Sequence, residues 1–129
     1  MLFRSWGYTR AALNNFHRFS AENLYGWCVK VQGNVEAFAL AGPMNKNTAN
    51  FFVAKTNPEF IGLSEYLRWK VLGELRAFSY VNDAGDLGIS GLRQHKMKMR
   101  PTALQKTFTA TLMTRGADRK STRLNSSHW

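Results

Sequence analysis

Leu63, Leu67, Val71 and Leu75 recur at intervals of four, and Tyr66 and Leu72 widen the stripe. Such spacing gives a helix one apolar face that another element has to cover. Strand-like runs stand on both sides of it, Asn50-Phe-Phe-Val-Ala-Lys before and Phe78-Ser-Tyr-Val after. A helix flanked by strands in this way restricts the chain to an α/β fold of the α+β type, a sheet with helices against it. Thr56 and Glu59 have capping-box spacing and Pro58 suits a first turn, so the helix is expected to begin there. Gly73 costs roughly 1 kcal/mol against Ala inside a helix, which predicts a close approach to the sheet.

The remaining segments extend this pattern. Trp6 to Leu24 has weak helical spacing at Leu13, Phe16 and Phe19. Trp27–Val31 and Val35–Leu40 read as a hairpin across Gln32-Gly-Asn34, with Gly42-Pro43 ending the second strand. Ile89, Leu92, Lys96 and Met99 suit one face of another helix, with Ser90 as its N-cap and Pro101 as its stop. Lys106–Leu112 alternates polar and apolar residues and reads as a last strand. The expected order is helix, three strands, helix, strand, helix, strand. The 129 residues suit one small domain with a single core.

Both ends have a foreign composition. Residues 118–128 read Asp-Arg-Lys-Ser-Thr-Arg-Leu-Asn-Ser-Ser-His, the one-frame translation of a widely used sequencing adapter, and residues 1–5 match its opposite-strand end. The expectation is therefore an authentic partial domain over 6–117, adapter-derived residues at 1–5, and an adapter-derived disordered tail over 118–129 without ordered contacts. The whole chain carries 18 Lys and Arg against 8 Asp and Glu, a net charge of +10. Residues 6–117 hold 14 against 7, a net of +7. From Leu87 to Ala117 there is no acid, while Arg93, Lys96, Lys98, Arg100, Lys106 and Arg115 are all basic. That distribution suits either a surface for phosphate groups of RNA, lipid or nucleotide, or a solvated charged face.

The segment from Asn82 to Pro101 joins a strand end to this basic helix and contains Gly85, Gly88 and Gly91. Glycines at the carboxyl end of a strand, followed by the free N–H groups of a helix start, can receive an anion. The same residues also suit an ordinary connection in which Asn and Asp turn the chain. Other sites are poorly marked. Cys28 and three scattered His have no metal-ligand spacing, and Cys28 reads as a buried or half-buried small hydrophobe. His17 and His95 read as non-catalytic, and Trp6, Trp27 and Trp69 as core residues. No apolar run is long enough to span a membrane.

Tyr80-Val-Asn-Asp, then Asp86-Leu-Gly-Ile-Ser-Gly-Leu-Arg-Gln-His-Lys, then Arg100-Pro101 resemble the C-terminal domain of bacterial phosphatidylglycerol lysyltransferases, and their soluble relatives of unassigned function most. The resemblance covers about residues 50–110. It implies a GNAT-like mixed sheet with flanking helices, present here as a partial domain, and a second GNAT-like domain in a longer parent. It also implies transfer of an aminoacyl group from aminoacyl-tRNA to a phospholipid or other acceptor. Asn82 and Asp83 would then be catalytic, orienting the incoming group. Asp86, Gly91, Arg93, Lys96 and Arg100 would bind substrate, with Gly91 and Leu92 also structural.

The implied partners are aminoacyl-tRNA and an anionic phospholipid headgroup, with no metal and no cofactor. The implied place is the cytoplasm or the cytoplasmic face of a membrane, and the fragment alone is expected to be inactive. The family's aromatic-rich segment after this helix is replaced here by Thr102-Ala-Leu-Gln-Lys-Thr-Phe. Two other readings stand beside it. One is a noncatalytic binding or scaffold half of a tandem protein. The other is acyl-CoA-dependent N-acyl transfer, disfavoured because Thr56–Gly62 offers only Gly62 for a pyrophosphate loop.

Overall fold

The computed structural model describes the backbone of residues 2–113 and 124–128 and the side chains of residues 6–113. Helix α1 (Leu2–Asn14) and a 3-10 turn (Phe16–Arg18) lead into β1 (Tyr25–Val31), β2 (Asn34–Pro43) and β3 (Thr48–Thr56). Then follow α2 (Leu63–Glu74), β4 (Tyr80–Asn82), α3 (Ser90–Lys98), β5 (Leu104–Phe108) and β6 (Leu124–His128). Strands β1 to β4 form one mixed sheet in sequence order, and β5 and β6 form a separate antiparallel pair. The chain divides into two compact units, Met1–Val81 and Asn82–Trp129.

The first unit holds the apolar core. Gln32 and Gly33, both at positive φ, make the two-residue turn that joins β1 to β2, as a tight hairpin requires. Alternation then places Tyr25, Trp27 and Val29 on the same sheet face as Ala37, Ala39 and Ala41. On β3, Ala49 and Phe51 join them, with a register shift at Leu40/Ala41. The stripe Leu63, Leu67, Val71 and Leu75 of α2 packs on this face. Alanines along β2 leave room for the helix to lie close to the sheet, and Phe51 fills the remaining volume. On the opposite face, Gly42 is forced by close approach. A Cβ there would stand 2.2 Å from the backbone oxygen of Asn23.

Several expectations change. Helix α2 begins at Leu63, after Gly62 in a left-handed conformation, and Thr56 ends β3. The capping box does not form because Asn57 turns the chain itself, its side-chain oxygen accepting the Glu59 amide at 3.0 Å. A Cβ on Gly73 would meet nothing within 4 Å, so no close approach explains that glycine. Strand β2 runs through Gly42-Pro43, since both residues stay in register with β3. Cys28 is exposed, because it alternates with Trp27 and Val29 and falls on the face away from α2. Trp27 packs against the core, whereas Trp6 and Trp69 are exposed and each lies under a lysine, Lys55 and Lys70.

Leu124–His128 pairs with Leu104–Phe108, with Leu104 opposite His128. The pairing sets the strand at 104–108 rather than 106–112. Residues 114–123 lie outside the described residues.

Candidate functional site

Within the second unit, the chain leaves β4 at Asn82 and reaches α3 through a loop built on side-chain to backbone hydrogen bonds. The half-buried Asn82 accepts the Ala84 amide on its side-chain oxygen at 3.2 Å, which starts the turn. Asp86 is 1% exposed and organises the rest. One carboxylate oxygen accepts the Gly88 amide at 2.9 Å, and the other accepts Arg93 Nε at 2.6 Å. Its backbone oxygen accepts the Ile89 amide at 2.9 Å. These bonds lead the chain into α3, so Ile89 occupies the N-cap position and Ser90 is the first helical residue, without a side-chain cap.

Burial of an ionised carboxylate is costly unless it is paired and fully hydrogen-bonded, and Asp86 meets both conditions. Arg93, seven residues later and one turn into α3, supplies the charge while its side chain stays 54% exposed. The guanidinium is therefore held against Asp86 through Nε, and a planar guanidinium is the kind of group that binds phosphate or carboxylate.

Lys96 lies on the opposite, inward side of α3 with Leu92, His95 and Met99, and it is buried. Its ammonium group donates to the backbone oxygens of Asp83 and, at 3.4 Å, Ala84. The Asp83 carboxylate lies 3.6 Å away. Lys96, in the last turn of α3, thus ties that helix to the loop residues Asp83 and Ala84 within this unit. The loop it closes carries Ala84 and Leu87 at positive φ, at 53° and 54°. Each costs about 1–2 kcal/mol in a residue with a Cβ, and such strain persists only where surrounding bonds over-determine it.

Of the residues singled out in the sequence, the structure joins Asp86 to Arg93 and Asp83 to Lys96, with Asn82 starting the same loop. Gly91 lies on the exposed side of α3, where a Cβ would meet nothing within 4 Å. Arg100 is exposed, at φ 51° after the end of α3. It is not among the residues paired in the loop. Sequence reasoning missed the strained pair Ala84 and Leu87, for which no residue type gives a signal. The burial of Lys96 did have one, its place on the stripe with Leu92 and Met99. Among the described residues, no three His, Cys, Asp or Glu are grouped to hold a metal ion, and no helix is long and apolar enough to cross a membrane.

Comparison with known proteins follows the same lines. Residues 8–111 match the family described as phosphatidylglycerol lysyltransferase, C-terminal. No curated protein matches the chain in sequence. Among solved structures, it is similar to a conserved protein of unknown function from Bacteroides thetaiotaomicron, at 23% identity and a TM-score of 0.66. That likeness covers 92% of this chain and 33% of the other, so the chain spans one third of the relative's length. It is also similar to the ribosomal-protein-S18-alanine N-acetyltransferase of Escherichia coli, at 13% identity and a TM-score of 0.60 over 89% of this chain and 72% of that one. A GNAT family acetyltransferase from Elizabethkingia anophelis, solved with acetyl-CoA bound, gives 12% identity and a TM-score of 0.56 over 92% and 82%. These likenesses give the fold, and the motif from Tyr80 to Pro101 lies within the matched region. The chain therefore belongs to the phosphatidylglycerol lysyltransferase C-terminal family, as an acyltransferase-like domain of GNAT fold.

Proposed function

We propose that this chain is part of a bacterial aminoacyltransferase-like protein that moves an aminoacyl group from aminoacyl-tRNA to a phospholipid or another hydroxyl or amine acceptor. Family membership supports the reaction class, and the Asp86–Arg93 pair is the observation that carries the site. In the reaction, the acceptor oxygen or nitrogen attacks the ester carbonyl. A new acyl bond forms, the ester bond to the tRNA ribose breaks, and the acceptor's proton passes to the released ribose oxygen. An aminoacyl ester is already activated, so orientation and charge stabilisation supply most of what the protein must add.

Arg93, held by Asp86, is proposed to receive a phosphate or the developing oxyanion. Asp83 and Asn82, at the end of β4, are the groups proposed to orient the acceptor. For Lys96, expected as a substrate contact, the bonds of its ammonium group to the loop carbonyls support a structural role in holding the loop that precedes Arg93. Gly91 and Arg100, both exposed, are proposed as further contacts. The parent is proposed to act in the cytoplasm or on the cytoplasmic face of a membrane.

The test is aminoacyl transfer by the full-length parent, with radiolabelled aminoacyl-tRNA and phosphatidylglycerol. Arg93→Lys keeps the charge and loses the planar fork. It is expected to lower kcat/KM by roughly 10- to 100-fold, given about 1.5–3 kcal/mol for a charge-assisted hydrogen bond. Wild-type turnover in Arg93→Lys and in Asp83→Asn would remove both residues from the site. A parent that binds these ligands but gives no transfer would favour the noncatalytic half of a tandem protein. That reading draws its support from the engagement of Asp83 and Lys96 with each other.

A further inference from the structure

Strand β1 bonds to β2 on one side, and among the described residues no strand covers its other side. Along such an edge, every second residue points its backbone N–H and C=O outward, where another chain can pair with them. The usual protections of an edge are few here. β1 has seven residues and no proline, against three residues in β4 at the opposite edge. The register shift at Val29/Lys30 puts its additional residue, Glu36, on β2, so β1 itself runs without a bulge. Lys30 is the one charge along the strand.

The order of its side chains decides what can pair there. Tyr25, Trp27 and Val29 are half-buried against the core, and Val31 follows them on the same face. Gly26, Cys28 and Lys30 are exposed on the other face. An antiparallel second copy that uses all seven residues has its two-fold axis at Cys28, the middle of the strand. Tyr25 then faces Val31 of the copy and Trp27 faces Val29, so each aromatic residue meets a β-branched one. Gly26 faces Lys30, which keeps the two lysines apart and sets the long side chain opposite a residue without a Cβ. Cys28 faces its own counterpart. Moving the axis to Val29 would instead set Lys30 opposite Cys28 and leave Tyr25 without a partner inside the strand.

We propose that a second copy of this chain docks on β1 through an antiparallel β1–β1 ladder centred on Cys28, joining two four-stranded sheets into one. The interface is isologous, so every contact is made twice about the axis. The outward backbone groups find partners, and the surface left open on Tyr25, Trp27, Val29 and Val31 is covered by the same residues of the copy. A ladder of this length is small beside the roughly 1,200–2,000 Å² of a stable complex, so the association is reversible on dilution. Nothing in it depends on the aminoacyltransferase reading.

The experiment is sedimentation equilibrium of the 129-residue chain under reducing conditions, followed by mild oxidation with oxidised glutathione. The wild-type chain is expected to show a concentration-dependent monomer–dimer equilibrium. Residues directly opposite in an antiparallel pair have Cα atoms about 4.5–5.5 Å apart, within the span of a disulfide. Two Cys28 thiols therefore join in one S–S bond, and oxidised glutathione takes up their two electrons and two protons. Cys28→Ser is expected to keep the reversible dimer and lose the covalent one. Cys28→Glu sets two carboxylates opposite each other and should weaken the dimer roughly tenfold or more. The position is exposed, and an unchanged thermal midpoint at low protein concentration shows that the fold is kept. Lys30→Cys in the Cys28→Ser chain faces Gly26 and should cross-link far more slowly than Cys28 does. A wild-type chain that stays monomeric at the highest concentration reached would overturn the proposal. So would a dimer as tight in Cys28→Glu as in the wild type, or equal cross-linking at positions 28 and 30. A monomeric full-length parent whose β1 amides resist hydrogen exchange would give the edge to a strand of its own chain, and would overturn it too.

Discussion

Lys96 shows what a single side chain contributes here. Its four-carbon stem crosses the inward side of α3, and its ammonium group satisfies two backbone oxygens and faces the Asp83 carboxylate. Lys96→Met conserves much of the apolar stem but leaves those acceptors without their donor, an asymmetry that costs about 1–3 kcal/mol. The expected result is a lower denaturation midpoint, measured by chemical unfolding, with ligand binding lost only as folding is lost. A Lys96→Met chain of wild-type stability that no longer binds tRNA or anionic lipid would instead return Lys96 to the role of a direct contact. Its place with Leu92 and Met99 on one stripe is legible in the sequence. The loop carbonyls that receive it are not, because backbone acceptors carry no residue-type signal.

At the scale of elements, α2 separates the two kinds of information. The four-residue spacing of Leu63, Leu67, Val71 and Leu75 predicts the buried face, and all four are buried against β2 and β3. Leu67→Ala is expected to cost about 2–4 kcal/mol through lost burial and the cavity it leaves. Gly73→Ala in the same helix should instead stabilise by about 0.5–1 kcal/mol, since the added methyl meets nothing and the unfolded chain loses freedom. Paired thermal melts of the two variants check both signs at once. The start of the helix was not legible in the same way. Thr56 and Glu59 have the right spacing for a cap, but pairing with β2 keeps Thr56 in β3, opposite Ala37. A sheet register overrides a local capping preference because it satisfies several backbone groups together.

For the molecule as a whole, charge is a property the sequence settles without the fold. The chain carries +10, and residues 6–117 carry +7 of it. Retention on immobilised tRNA should therefore fall with salt, and trimming the chain to 6–117 should make that fall shallower. Equal salt slopes for the two lengths would show that the terminal charges take no part. The apolar stripe, the hairpin turn at Gln32-Gly33 and the strand-to-helix order were likewise readable, because periodicity and turn chemistry act over a few residues. The family motif placed Asn82, Asp83, Asp86, Arg93 and Lys96 in one segment. Which of them meet, and which stay at the surface, depended on the loop's path. The αL conformations at Ala84 and Leu87 are set by hydrogen bonds that Asn82 and Asp86 accept and Lys96 donates, and those bonds exist only once the loop has closed. Sequence determined the elements, the charge and the family. Tertiary structure decided that Lys96 faces inward and Arg93 outward, because a buried cation is tolerated only where carbonyl and carboxylate oxygens have already converged.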